Sequence, residues 1–269
     1  GNCFNQKLEN LPQGLQSLSL AFSFDKKLEN LPCQLQKLYI GDTFNQKLEN
    51  LPSDLKKLHL GHRFNQKLEN LPQSLKKLYL GRNFNQKLEN LPQGLQKLYL
   101  NLYFNQKLEN LPIGLQKLSL NNLFDQEIKD LPHGLQKITL GRHKLVNLPH
   151  NLQSLTFSKF FNGKLEKLPT NIKKIKLGKN FDQELKNLPG HLQSLTLGKS
   201  YLKSITICFA LPYLKKLIFL HHWSNYEGIR LLFNVKICYM NNHVYNKCIK
   251  YTKNKCAWKL DFYTFIHLQ

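Results

Sequence analysis

The sequence predicts a β-solenoid, with a parallel sheet on one face, extended or turn segments on the other, and an irregular C-terminal cap. Three observations predict it. Phe recurs every twenty residues at 4, 24, 44, 64, 84, 104 and 124, then at 161 and 181. A Leu-Pro pair keeps the same period, with prolines at 12, 32, 52, 72, 92, 112 and 132. After a three-residue deletion it resumes at 149, 169 and 189. Each unit also carries L-x-x-L-x-L, as in Leu55-Lys56-Lys57-Leu58-His59-Leu60. A fixed period marks a repeat architecture, and twenty residues are too few for a helical hairpin.

The elements of one unit follow in chain order. Leu58 and Leu60 alternate with Lys57 and His59, the pattern of a short strand with one buried face. Leucines are expected inward, Lys57 and His59 outward. Gly61 then lets the chain turn where a side chain would clash. Phe64 and Leu68 re-enter the core from the far side. Leu71-Pro72 fits an extended return, because Pro cannot donate to a central ladder. Stacked at about 4.8 Å, equivalent positions form ladders, and the Leu and Phe ladders make a core that no single unit buries alone. The Asn/Asp column (Asn5, Asp25, Asn45, Asn65, Asn85, Asn105, Asp125, Asn162, Asp182) is expected to satisfy turn backbone groups with its side chains.

The array is expected over residues 1–198, with a degenerate last repeat and cap over 199–269. Gly1-Asn2-Cys3-Phe4 has the register of Gly61-His62-Arg63-Phe64, and the lone Met is Met240. The chain therefore is expected to start inside a repeat, with further sequence upstream. In the cap, Ser224-x-x-Glu227 reads as a capping box opening a short helix. Val235, Ile237 and Tyr239, then Trp258, Leu260 and Phe262, alternate like strands.

The segment F-N-Q-K-L-E-N-L-P with L-x-x-L-x-L-G resembles leucine-rich repeats, and specifically the FNIP repeat, a unit found in amoebal proteins and in large DNA viruses that infect amoebae. The resemblance covers residues from about 1 to 198. Lys replaces the name-giving Pro at 7, 47, 67, 87 and 107, and the unit is slightly short. The resemblance implies a leucine-rich-repeat-like solenoid with a protein-interaction role. In relatives that carry an N-terminal F-box, it implies the substrate-recognition arm of an adaptor.

The 269 residues hold 39 Lys+Arg against 17 Asp+Glu, a formal net charge of +22. That charge favours acidic partners and says nothing of fold. Lys37, Lys57, Lys77, Lys97, Lys117 and Lys137 form one outward strand column, with Tyr39, His59, Tyr79 and Tyr99 in the next. These ten residues are the candidate partner-binding site. The lysine column has no acidic partner in its own strands, and stacked like charges destabilise by tenths of a kcal/mol per pair. A column bound to an acidic protein explains it. So does a solvated sheet face copied by duplication, or a polyanion surface on which bases stack on rings. A second column, Lys7 to Lys107, runs beside Glu9 to Glu109, and those charges offset one another.

Catalysis finds little support. The histidines form no H-E-x-x-H, and neither G-x-S-x-G nor a phosphate loop occurs. Cys208, Cys238, Cys248 and Cys256 with His221, His222 and His243 have the wrong spacing for zinc knuckles. No cofactor, metal or small-molecule substrate is expected. No apolar run reaches transmembrane length, so no membrane partner is expected either. The six cysteines fit no repeating framework and no N-x-S/T acceptor occurs, which points to reduced thiols and a cytoplasmic location.

Overall fold

A computed structural model describes residues 3–121, 123–141, 147–201 and 211–220 in full, and 236–241 and 244–250 as backbone strands. The strands lie in a single sheet in chain order. They are β1 (Ser17–Ser19), β2 (Lys37–Tyr39), β3 (Lys57–His59), β4 (Lys77–Tyr79), β5 (Lys97–Tyr99), β6 (Lys117–Ser119) and β7 (Lys137–Leu140). There follow β8 (Ser154–Phe157), β9 (Lys174–Lys176), β10 (Ser194–Leu197), β11 (Lys216–Phe219), β12 (Lys236–Asn241) and β13 (Val244–Lys250). From β1 to β12 every neighbour is parallel, and through β6 each register step is twenty residues: Lys57 faces Lys77, Leu58 faces Leu78. Only β13 turns back, antiparallel on β12. Parallel neighbours without helices between them require one full coil per strand, so this is a β-solenoid.

Each coil closes by local rules. Pro-x-x-Leu makes a turn in which the leucine N–H donates to the proline carbonyl, as in Leu55 to Pro52 and Leu75 to Pro72 (3.1 and 3.0 Å). The chain then enters the strand, whose central leucine is fully buried at 38, 58, 78, 98 and 118. Asn10, Asn30, Asn50, Asn70, Asn90 and Asn110, with Lys167 and Asn187, sit at φ of 52–55° before the Leu-Pro step. That is the left-handed region, which Asn tolerates better than most side chains.

The glycines meet the expected clash without a special backbone conformation. No described glycine has positive φ. Gly61 is required by close approach: a Cβ there would lie 2.1 Å from the Gly41 carbonyl oxygen, and at Gly81 1.8 Å from that of Gly61. The clash expected at this position is real; the special backbone conformation belongs to the asparagines.

Neighbouring coils are joined as the period requires. The Asn/Asp column is a ladder between coils: Asn5 Oδ1 accepts the Asp25 N–H, Asn45 that of Asn65, Asn65 that of Asn85 and Asn85 that of Asn105 (2.8–2.9 Å). The phenylalanine column lies at the centre. Phe24, Phe44, Phe64, Phe84, Phe104 and Phe124 are fully buried, and the rings of Phe24–Phe44, Phe44–Phe64 and Phe64–Phe84 stack near-parallel with centroids 6.1 Å apart. Tyr201 takes the same place after Phe181. The shortened unit carries no Phe at this position, and Phe157 replaces the usual strand leucine and stacks on Phe161 at 4.0 Å.

The two spacings set the curvature. Rings related by a repeat step are separated by the coil spacing at their radius, here 6.1 Å, against about 4.8 Å for strands in a sheet. Over a coil some 10 Å deep, the difference wedges neighbouring coils apart by roughly 7° and makes the sheet face concave.

β11 and β12 extend the sheet beyond residue 198, and the alternating strand expected around Ile237 and Tyr239 is β12. The expected helix at Ser224–Glu227 and the strand at Trp258, Leu260 and Phe262 lie outside the described residues. So do Cys208, Cys256, His221, His222 and His243. Among the described residues no helix is long and apolar enough to cross a membrane.

Truncating one ring of the column removes about 3–5 kcal/mol of transfer and cavity energy. Phe84→Ala is therefore expected to lower the urea midpoint sharply. Phe4→Ala, at a ring still 41% exposed, is expected to cost about 1 kcal/mol or less. Equal losses would show that the column is not a continuous core.

Candidate functional site: the concave strand face

Strand alternation places all ten candidate residues on one surface. Lys37, Lys57, Lys77, Lys97, Lys117 and Lys137 are consecutive in register, as are Tyr39, His59, Tyr79 and Tyr99. Lys37 and Lys137 are exposed, and the four lysines between them half-buried.

The sequence did not show that the two columns touch. Lys57 Nζ donates to the Tyr39 hydroxyl at 3.0 Å and lies 4.6 Å from the Tyr39 ring centre and 5.1 Å from that of Tyr79. Lys117 Nζ sits 4.7 Å over Tyr99. His59 meets Tyr79 edge-on at 5.6 Å. Folding an ammonium onto a ring relieves part of the like-charge stacking, so Lys57 and Lys117 are held by their neighbours.

These contacts separate the tyrosines. Burial, with a hydrogen bond that its hydroxyl donates to Tyr99, pushes Tyr79 up to about 12. Burial opposes ionisation of Tyr99 too, but hydrogen bonds from Lys117 and Tyr79 and the Lys117 and Lys97 charges outweigh it and bring Tyr99 below the ordinary value. The Lys57 hydrogen bond and charge lower Tyr39. Desolvation and the Lys57 charge lower His59, so its imidazole is neutral at pH 7 and the Lys ladder carries the positive charge.

A shallow groove of about 230 Å³ runs along the C-terminal ends of β3 to β6, between the aromatic column and the corner. Gly61 and Gly81 floor it, and Asp42, His62, Tyr99, Asn101 and Ser119 rim it. His62 Nδ1 pairs with Asp42 Oδ2 at 2.9 Å, and the His62 backbone N–H donates to Asp42 Oδ1. Sequence reasoning missed this groove. Its one signal was that positions 42 and 62 belong to the corner after the strand, where side chains change from unit to unit. Among the described residues, no three His, Cys, Asp or Glu side chains gather to hold a metal ion. On the coil's outer side, ion pairs form where the charge order is reversed, at Lys129–Glu127 and Lys186–Glu184. They are exposed and add little.

A concave parallel sheet of one short strand per coil, backed by stacked leucine and phenylalanine ladders, defines a solenoid of the leucine-rich-repeat type. The FNIP Repeat family model matches residues 4–43, 24–63, 44–83, 64–103, 104–143 and 161–200, and the chain belongs to the FNIP repeat family. It is similar to CroV588, a circular LRR protein of a giant virus, with 33% identity and a TM-score of 0.75 over 90% of this chain. The match spans only 39% of CroV588. YopM from Yersinia enterocolitica shares the fold, at 24% identity and a TM-score of 0.51, over 87% of this chain and 56% of its own. Comparison with curated proteins gives no match.

An absorbance titration of the phenols reads the face directly. Tyr39 and Tyr99 are expected to ionise below the ordinary value of 10 and Tyr79 near 12. Because Tyr79 keeps its proton longer when folded, its contribution to stability is full below pH 10 and fades as pH climbs towards 12. Lys117→Met should raise the Tyr99 step and leave that of Tyr39 in place. An unmoved Tyr99 would contradict the Lys117 contact.

Proposed function

We propose that this protein is a binding scaffold, without catalytic activity, whose concave strand face holds an acidic protein in the cytoplasm, as the recognition part of an adaptor. The observation that carries this reading is the column of six lysines in register, without an acid in the facing strands and beside an aromatic column. Arranged cations and rings are the composition of binding hot spots. A repeat scaffold of this type is commonly used for protein binding, and a curved sheet exposes more area to one partner than a flat one.

A second reading, binding of single-stranded nucleic acid or another polyanion, draws on the stacked Tyr79–Tyr99 pair and the charge of +22. Salt separates the two. Phosphate binding driven by counterion release falls steeply as salt rises, whereas a protein hot spot keeps most of its affinity.

The test is retention of partners from lysate at physiological salt after nuclease treatment, compared with a Lys57→Ser/Lys77→Ser/Lys97→Ser triple variant. Three charges at about 0.5–1 kcal/mol each predict a loss of affinity of about ten-fold or more. Discrete protein retained by the native chain and lost by the variant supports the reading. Unchanged binding removes the strand face from consideration, and nuclease-sensitive binding transfers it to the second reading.

A further inference from the structure

The concave face is not uniform along the array. The corner carries an exposed Phe22 after β1, is polar at Asp42-Thr43, His62-Arg63 and Arg82-Asn83, then becomes Leu102-Tyr103 after β5 and carries Leu123 after β6. Tyr103 is 46% and Leu123 41% exposed. At the opposite end of β6 stands Ile113, 79% exposed, where neighbouring coils carry Gln73 and Gln93. Both edges of the same stretch of sheet are apolar.

At Leu123 the corner is bonded differently from the earlier coils. Thr43, Arg63, Asn83 and Tyr103 each donate their N–H to a carbonyl of the preceding coil at 2.8–3.1 Å. Leu123 instead donates to Asn121 Oδ1 at 2.6 Å, while Asn121 Nδ2 donates to the Phe104 carbonyl at 2.7 Å. Asn121 stands where Gly61 and Gly81 stand in earlier coils, and it is buried. A side chain thus takes over a bond that the consensus makes between backbones. Tyr103 is held as well: the Arg82 guanidinium packs 5.4 Å from its ring centre, and Arg82 Nη2 donates to its hydroxyl at 3.3 Å. Between the two apolar edges lie Lys97 and Lys117, paired in register.

We infer that β5 and β6 with their flanking turns dock an amphipathic acidic segment of a protein partner, running across the array rather than along it. The inference rests on the strand-face reading above and names its partner chemistry. The segment sets carboxylates over Lys97 and Lys117, with apolar side chains at one end on Ile113 and at the other on Leu102, Tyr103 and Leu123. Charge complementarity selects an acid for the middle. The edges select a protein, because exposed aliphatic side chains gain nothing from a phosphate backbone, and contiguous apolar surface beside polar surface marks contact sites.

The experiment uses the whole chain and three probes, followed by fluorescence anisotropy. One is a peptide of about 14 residues, with central glutamates between apolar ends; at ~3.4 Å per residue it outreaches the ten-residue step from Ile113 to Leu123. A second has the same charge with Ser for the apolar residues. A third is oligo-dT. The first is expected to bind about ten-fold tighter than the second. Ile113→Gln/Leu123→Thr, which installs residues found in other coils, should remove most of that advantage and leave the second peptide unaffected. Equal binding of the two peptides, or a double variant that binds both like the native chain, overturns the inference while the strand-face reading stands. Binding of neither peptide overturns both, as does oligo-dT binding tighter than either.

Discussion

Each coil of this protein is bound to lie over the one before it, and that constraint governs every other feature. A twenty-residue coil cannot bury its own leucines, so its neighbours bury them, and the sheet hydrogen bonds run between coils rather than within them. Any residue therefore faces its own kind one step away. Apolar residues profit from this, as the phenylalanine column does. Amides profit too, because an Asn side chain accepts the backbone N–H one coil on. Backbone crowding favours glycine where coils approach most closely, as at Gly61 and Gly81. Charge is the one chemistry that suffers, which makes an unopposed column of lysines informative.

The same stacking explains the shape. Rings 6.1 Å apart on one side and strands about 4.8 Å apart on the other cannot be accommodated by a straight stack. The sheet becomes the inner surface of an arc, and the lysine and tyrosine columns converge on it. Curvature thus arises from the size of a core side chain, and it gathers the charge that the period had already aligned. The deviations matter as much as the rule. Where Phe157 replaces a leucine in the shortened unit, the core is refilled. Where Asn121 stands in place of a glycine, the corner is re-bonded through its side chain.

Most of this architecture was legible in the sequence because a strict period fixes which residues share a column. The inward leucines, the outward lysines, the Asn ladder and the absence of room for helices in the repeat unit all follow from position alone. Position does not specify torsion angles. The left-handed Asn before most of the Leu-Pro steps looked like any other polar residue. Nor does position give side-chain reach. Lys57 and Tyr39 belong to different columns, and only the direction of the Lys57 side chain brings its ammonium to the Tyr39 hydroxyl. The groove beside Gly61 and Gly81 was missed for the same reason, since it is made by side chains that are absent.

The claim on which the rest stands is that the coils are wedged open on the phenylalanine side, so that the strand face is concave. Pairs of spin labels measure it, in a background with the native cysteines replaced. Labels at 37 and 117 lie four coils apart along the sheet, and four steps of ~4.8 Å give about 19 Å. Labels at 47 and 127, just beyond the Phe column, also lie four coils apart, and four steps of 6.1 Å give about 24 Å. The account predicts the second distance to exceed the first by about 5 Å. Equal distances, or a longer one along the sheet, would contradict it.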